Sequence, residues 1–508
     1  MANGSMNSRS IAAALLGLLL IADWVGIAAP AAAAGMFGFG GMRGGGGGGG
    51  GFVPRPGPMP GPGPWGRMPP PGFGGPPPIV VVPSGPPPVG GGPPPGNNRN
   101  GGGNNGGGGT TTAQANQNFV PDEVITAFAA GTTPQAIARV AQRYGLTPLE
   151  TQSFPLIGTS LTRWRIGGGR TVATVVRGLG NENIVASVQP NYVFIGQDDA
   201  AKVDEATKPG PAAAPAAATP SAGPQYVLEK LQVQQAQQLA TGKNILVAVI
   251  DSGIDTTLPE LAGAITKSFD ALTGGHPHPH GTSIAGAMAA HGKLIGIAPG
   301  AQILAVHAFD DGAGQAKGTS FAIYKGLQWA ADNGARVVNM SFAGPADPLL
   351  QRMLAAAYDK GIVLIAAAGN AGPKSDPLYP AAYPDVVAVT ATDSNDGLFA
   401  LANRGRHIAV AAPGVDILAL APDGKIQFST GTSIAAAHIS GIAALLLERK
   451  PSLKPADIRA TLISTAKPIG PLRPDSEFGA GLANAYGAVK WLERKLAEPD
   501  TGNAEAKQ

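Results

Sequence analysis

The stretch Asn244-Ile-Leu-Val-Ala-Val-Ile-Asp251-Ser-Gly-Ile-Asp255 decides the fold. From Ile245 to Ile250 every residue is apolar and most are β-branched. A strand with one wet face alternates, whereas an unbroken run of this length reads as a strand covered on both faces. The run ends on an acid, Asp251, and a Gly turn follows. Comparable strand patterns recur at Gln302 to Ala308, Val337 to Ser341, Ile362 to Ala368, Val386 to Thr392 and Ile408 to Ala412. Helical patterns alternate with them or follow them: Gly281 to Ala290, Ser320 to Asn333, Pro348 to Lys360, Thr432 to Arg449 and Pro455 to Ala466. Repeated βα units of this kind predict an α/β fold, a parallel sheet with helices on both faces. The pattern fills residues 225–496, and about 270 residues suffice for one large core.

Upstream the composition changes. The chain has 508 residues, Gly 75 and Pro 48, and 31 of those Gly and 19 of those Pro fall between Gly35 and Thr112. Such a segment cannot bury enough apolar surface to offset its ordering entropy, so 35–117 is expected to be a disordered, solvated spacer. Ahead of it, Arg9 precedes the apolar run Ile11 to Ala22 and a small-residue stretch ending Ala32-Ala33-Ala34. That run is short for a membrane span and fits an export signal over 1–34, cut after Ala34. The alternative, an uncleaved anchor reaching Ala29, would bury Asp23. The chain is expected to be secreted, periplasmic or at the cell surface, with no transmembrane span once mature.

Residues 118–197 read as a small α+β unit. Strands are expected at Val120 to Phe128, Leu161 to Ile166 and Ser187 to Ile195, and helices at Thr133 to Tyr144 and Arg170 to Leu179. An Ala/Pro-rich linker (198–224) and a polar tail (497–508) complete the organisation. The formal charge is only +3, from 36 basic and 33 acidic residues, which argues against nucleic acid as the main partner. There is no Cys. Disulfides, thiolate zinc sites and Cys nucleophiles are therefore excluded.

Four polar positions interrupt small or apolar surroundings. Asp251 ends the first strand, His280 opens a small-residue helix in His280-Gly-Thr-Ser283, and Ser433 opens a long apolar helix in Thr430-Gly-Thr-Ser433. Asn370 follows a strand within Gly369-Asn-Ala-Gly372. Singly, each is an ordinary turn, loop or helix-start residue. Together, Asp251, His280 and Ser433 are the parts of a Ser-His-Asp triad, and a hydroxyl at a helix N-terminus lies where backbone N–H groups favour an oxyanion.

With these segments in this order, the chain resembles the subtilisin-like serine proteases. The resemblance rests on Asp251-Ser-Gly-Ile-Asp255, His280-Gly-Thr282, Gly431-Thr-Ser433 with His438 and Gly441, Asn339-Met-Ser341, Ala367-Ala-Gly-Asn370 and Ala412-Pro-Gly414. It implies a subtilisin-like sheet preceded by a ferredoxin-like propeptide. Ser433 would be the nucleophile, His280 the base, Asp251 its orienting partner and Asn370 an oxyanion donor. Gly312, Ala313 and Gly314 on one side, and Ser341, Phe342, Ala343 and Gly344 on the other, would bind peptide or protein substrates by strand addition. Ser187-Val-Gln-Pro-Asn191-Tyr-Val-Phe194 resembles the last strand of the family's inhibitory propeptide, and Tyr144-Gly-Leu146 the end of its first helix. The implied function is a secreted serine endopeptidase made as a self-processed zymogen, with its own propeptide as inhibitor and chaperone. The alternative is a non-catalytic surface-binding or wall-associated protein on the same scaffold.

Some positions depart from the family pattern. Ser283 stands where most members have His, Ala437 where they have Pro, and Ala343 where they have Gly. His276 and His278 alternate with prolines before His280 and read as a polar loop rather than a metal site. No cofactor is implied with force. Calcium is bound by several family members, and here only Asp310-Asp311 offers a candidate.

Overall fold

The computed structural model describes residues 118–196, 225–310, 316–470 and 475–497. The expected export signal, Gly/Pro spacer and linker lie outside the described residues, as does the tail beyond Ala497.

The N-terminal unit runs β1 (Phe119–Phe128), α1 (Pro134–Tyr144), β2 (Leu146–Phe154), β3 (Thr159–Ile166), α2 (Val172–Leu179) and β4 (Val185–Gly196). Thr133 caps α1 by accepting from the Ala136 N–H, and Gly145 ends it at φ 65°, a left-handed conformation that glycine adopts without strain. The sheet order is β2-β3-β1-β4, antiparallel throughout. Val124, Trp164, Val175 and Leu179 form the centre of its core. β2 has no counterpart among the strands expected from sequence. Its apolar residues are sparse, Pro148 interrupts it, and an irregularity between Pro148 and Glu150 breaks the alternation that would reveal a strand.

The larger unit opens with two short helices, α3 (Tyr226–Lys230) and α4 (Val233–Gln237). Then follow β5 (Leu246–Asp251), β6 (Ile265–Asp270), α5 (Pro279–Ala289), β7 (Gln302–His307), β8 (Phe309–Asp310), β9 (Lys317–Thr319), α6 (Ser320–Asp332), β10 (Val337–Met340), β11 (Phe342–Ala343), α7 (Pro348–Asp359) and β12 (Val363–Ala367). The chain continues through β13 (Val386–Thr392), β14 (Ile408–Pro413), β15 (Ile417–Leu420), β16 (Ile426–Ser429), α8 (Thr432–Arg449), α9 (Pro455–Thr465) and α10 (Ala485–Ala497).

Seven parallel strands form the main sheet in the order β14-β13-β12-β10-β5-β7-β6. Both faces are covered, as the unbroken apolar runs demand. Val247 and Val249 face the layer of α5 and α8, while Ala248 and Ile250 face that of α6 and α7. From Thr432 to Leu447 every residue of α8 is buried, so this helix is apolar all round rather than striped. Gly441 lets it approach: a Cβ there would lie 2.6 Å from the Ile297 Cβ. Strand order reverses at β5, between β7 and β10, and the C-terminal end of such a strand is where open α/β sheets place their sites.

The two units share a second sheet. β4 leaves the small unit and pairs antiparallel with β9 on one side and β11 on the other. Ile195 stands opposite both Lys317 and Ala343, and Gly196 opposite Phe342.

Candidate active site

Asp251 ends β5 at the reversal point. His280 is the second residue of α5 and Ser433 the second of α8, and these two helices pack against one another. His280 Nδ1 lies 2.6 Å from Asp251 Oδ1, with both side chains at least 94 % buried. A carboxylate oxygen can only accept, so Nδ1 carries a proton, and in the neutral imidazole Nε2 is the basic nitrogen. The Ser252 N–H also donates to Asp251 Oδ1 at 2.7 Å. Two close backbone approaches hold this corner. A Cβ on Gly281 would strike the Ser252 carbonyl, and one on Gly253 the His276 carbonyl.

Ser433 Oγ lies 3.5 Å from the Ser341 carbonyl oxygen, and Ser341 Oγ donates to the Ser433 carbonyl at 3.1 Å. Asn339 Nδ2 donates to Ser341 Oγ at 2.9 Å, and Ser440 Oγ on α8 donates to Asn339 Oδ1 at 2.9 Å. This chain of bonds fixes α8 against the end of β10.

Asn370 is held by its carbonyl end. Its Oδ1 accepts from the Thr432 N–H at 3.1 Å and from Thr432 Oγ1 at 2.8 Å. Because the Thr432 N–H can only donate, the amide orientation is determined and Nδ2 is the end left to act as donor. Thr432 Oγ1 in turn accepts from the Gly369 N–H at 3.1 Å. Thr432 thus ties the end of β12 to the first turn of α8. Thr432 and Ser252 stand inside the sequence motifs without a task assigned to either. Their positions, one residue before Ser433 and one after Asp251, were the available signal.

The structure joins Asp251 to His280, links Asn370 to Ser433 through Thr432, and sets Ser341 beside Ser433. Phe342 and Ala343 form β11, and Gly344 continues from it to pair with Tyr379. Gly312, Ala313 and Gly314 lie outside the described residues. The strand that faces β11 across β4 is Lys317–Thr319. Ser283, at the position that departs from the family pattern, donates to the His280 carbonyl at 2.7 Å and so stabilises the first turn of α5.

Metal ligation finds little support. Among the described residues no group of three or more His, Asp or Glu side chains could hold a metal ion. His278 Nδ1 is engaged by Ser252 Oγ and by the His280 N–H. The Asp255 carboxylate accepts from Thr257 and from the Asp423 N–H. Burial alone would raise its pKa, but these bonds hold it below the usual value. Buried Glu260 faces Lys293 at 3.7 Å. Asp311 lies outside the described residues. Asp255 and Glu260 are thus already engaged by protein donors. Among the described residues no helix is long and apolar enough to cross a membrane.

Comparison with known proteins agrees with this geometry. Residues 242–481 match the subtilase family, and residues 107–191 match the fervidolysin N-terminal prodomain. Thermitase of Thermoactinomyces vulgaris is 36% identical over 276 residues, 53% of this chain and 96% of thermitase. The thermophilic serine proteinase of Bacillus sp. (strain AK1) is 31% identical over 387 residues, 73% of this chain and 88% of that protein. The crystal structure of fervidolysin from Fervidobacterium pennivorans, described as a keratinolytic enzyme related to subtilisin, superposes with a TM-score of 0.61 at 26% identity. It covers 73% of this chain and 61% of its own.

Proposed function

The chain belongs to the subtilase family of serine peptidases, and from that premise we propose that it is an exported endopeptidase that cuts itself free of its prodomain at Gln197–Asp198. We assign residues 1–34 to an export signal, 35–117 to a spacer, 118–197 to the prodomain, 198–224 to a linker and 225–496 to the peptidase.

In this reading Ser433 Oγ attacks the scissile carbonyl while His280 Nε2 takes its proton. Asp251 holds the imidazole and stabilises its cationic form. The oxyanion receives the Asn370 Nδ2–H and the Ser433 N–H. His280 returns its proton to the leaving amine, and water then hydrolyses the acyl-enzyme by the same route.

The observation that carries the proposal is the seat of β4. It lies between two edge strands as an added substrate strand would, and opposes Ile195 to Ala343 and Gly196 to Phe342. The next residue of that edge is Ser341, whose carbonyl lies beside Ser433 Oγ, so we place the cut one residue beyond Gly196 in the sequence, after Gln197. The fourth residue before the cut is then Phe194, fully buried and edge-on to Phe342 at 5.8 Å. Substrates with a large apolar residue at that place should be preferred.

Intact mass and N-terminal sequencing of the processed chain test the proposal. A new N-terminus at Asp198 is expected, absent in Ser433→Ala. A fluorophosphonate probe should label the wild type and not that variant. Labelling of Ser433→Ala at wild-type level would remove Ser433 from its role, and a first cut outside 194–200 would refute the register.

A further inference from the structure

The seam between the two units is built on helix N-termini, and the same device occurs twice. In α6 the Ala322 N–H is capped by Thr319 of its own chain segment, while the Phe321 N–H donates to Asn191 Oδ1 of β4 at 3.2 Å. In α7 the Leu350 N–H is capped by Asp347, while the Leu349 N–H donates to Gln189 Oε1 of β4 at 3.2 Å. Each helix thus supplies one cap itself and takes the next from a prodomain amide.

Each amide also gives its N–H to a carboxylate. Asn191 Nδ2 donates to Glu123 of the prodomain at 2.7 Å, and Gln189 Nε2 donates to Asp347 of the peptidase at 2.8 Å. Asp347 is fully buried. It accepts further from Ser320 Oγ and from Tyr324 OH, both at 2.6 Å. Ser320 Oγ itself accepts from the Tyr192 N–H at 3.1 Å. Burial pushes the Asp347 carboxyl above the usual carboxylate range, and the bonds from Ser320, Tyr324, Leu350 and Gln189 act against that rise.

We propose that Asp347 is the peptidase's recognition anchor for its prodomain, selecting a strand with a neutral amide at position 189 and rejecting one with an acid there. Position 189 must accept from Leu349 N–H at one end and donate to Asp347 at the other. A carboxamide does both, whereas an ionised carboxylate can only accept. A glutamate of the same shape keeps the first bond and turns the second into two buried carboxylates face to face. The inference rests on reading residues 118–197 as an inhibitory prodomain, and adds what sets its partner choice and its release.

The test uses the full chain in two forms. In Ser433→Ala, amide hydrogen exchange at Phe321 and Leu349 reports docking without any catalysis. Gln189→Glu should speed exchange there by about 30-fold or more, as expected when a buried charge is left uncompensated. Adding Asp347→Asn, which keeps a good helix cap, should restore most of the protection. In the active chain, Gln189→Glu should shorten the lag between self-cleavage and peptidase activity, and the double variant should lengthen it again. Unchanged exchange in Gln189→Glu, or no recovery in the double variant, would overturn the inference. If the wild-type chain never cleaves itself, the proposed function fails, while the exchange measurement still decides this one.

Discussion

Asn370 offers the sharpest test of the site, because its amide is fixed at one end and assigned work at the other. Two bonds from Thr432, at 3.1 and 2.8 Å, hold Oδ1, so Nδ2 is aimed rather than free to rotate. Asn370→Ala removes the donor. Loss of one such donor costs about 2.7–4 kcal/mol, or about 100- to 1,000-fold in kcat, a range measured on a subtilisin. KM should barely move, since the bond strengthens only as charge develops on the oxyanion. Asn370→Asp is the more discriminating variant. It keeps both bonds from Thr432 and hence the local fold, but sets a second acceptor where the donor was. Two like charges about 4 Å apart at an effective dielectric near 20 repel by about 4 kcal/mol, so even after solvent screening a further loss of about tenfold or more is expected. The assay is steady-state hydrolysis of a chromogenic peptide by processed enzyme, with active sites counted by fluorophosphonate titration. A kcat within threefold of wild type in Asn370→Ala, or an Asn370→Asp as active as the alanine variant, would refute the assignment.

Gly344→Val should slow both self-cleavage and hydrolysis of substrates with an aromatic side chain at the place of Phe194, because an added Cβ lies 2.5 Å from that ring. Overpacking of this kind costs about 1–3 kcal/mol, and Phe194→Ala in the same chain should recover processing. Leu179→Ala, in the core of the small prodomain, should cost about 2–5 kcal/mol there and lower the yield of mature enzyme without changing the kcat of what matures; a changed kcat would count against a separable folding role. His438 is buried neutral, bonded through Nδ1 to the Pro413 carbonyl, with its pKa lowered by burial from 6.5 to about 4. The unfolded chain takes up that proton near pH 6.5 and the folded chain only near pH 4. Stability should therefore fall as pH drops through that window, by about 3 kcal/mol from this group. Thermal melts of Ser433→Ala between pH 7 and 4.5 should show the fall, and adding His438→Gln should flatten it.

The main sheet and the candidate site residues stand out in the sequence because local chemistry marks them. The run Ile245 to Ile250 can only be a strand covered on both faces, and Asp251 at its end, His280 and Ser433 in helix first turns are each marked by small neighbours. What was hidden depends on partners distant in sequence. β6 is a largely polar edge strand, with Lys267 and Ser268 exposed, so it carries no apolar signature. β9 has three residues and no pattern at all; its pairing with Val193 to Ile195 makes it a strand. The bond between Gln189 and Asp347 spans 158 residues, and nothing near either residue announces the other. Asn191 and Gln189 read as ordinary polar positions of an edge strand until the helix N-termini they cap are in place.

If the proposed function holds, the architecture lets one cleft take inhibitor and substrate in turn. The first turns of four helices carry the polar contacts of the site and the seam. α5 and α8 carry His280 and Ser433 in their first turns, whereas α6 and α7 offer theirs to the prodomain. β9 and β11 are not joined to each other directly; β4 lies between them. A strand must enter that gap for the second sheet to be continuous, and only its backbone is needed for the ladder. Any extended peptide can supply that backbone, but only the prodomain also caps α6 and α7. On the proposed function, the difference between inhibitor and substrate therefore lies outside the cleft, in Gln189 and Asn191, which would hold the prodomain after self-cleavage. Weakening those caps should convert a retained inhibitor into a released product without altering any group that touches the scissile bond.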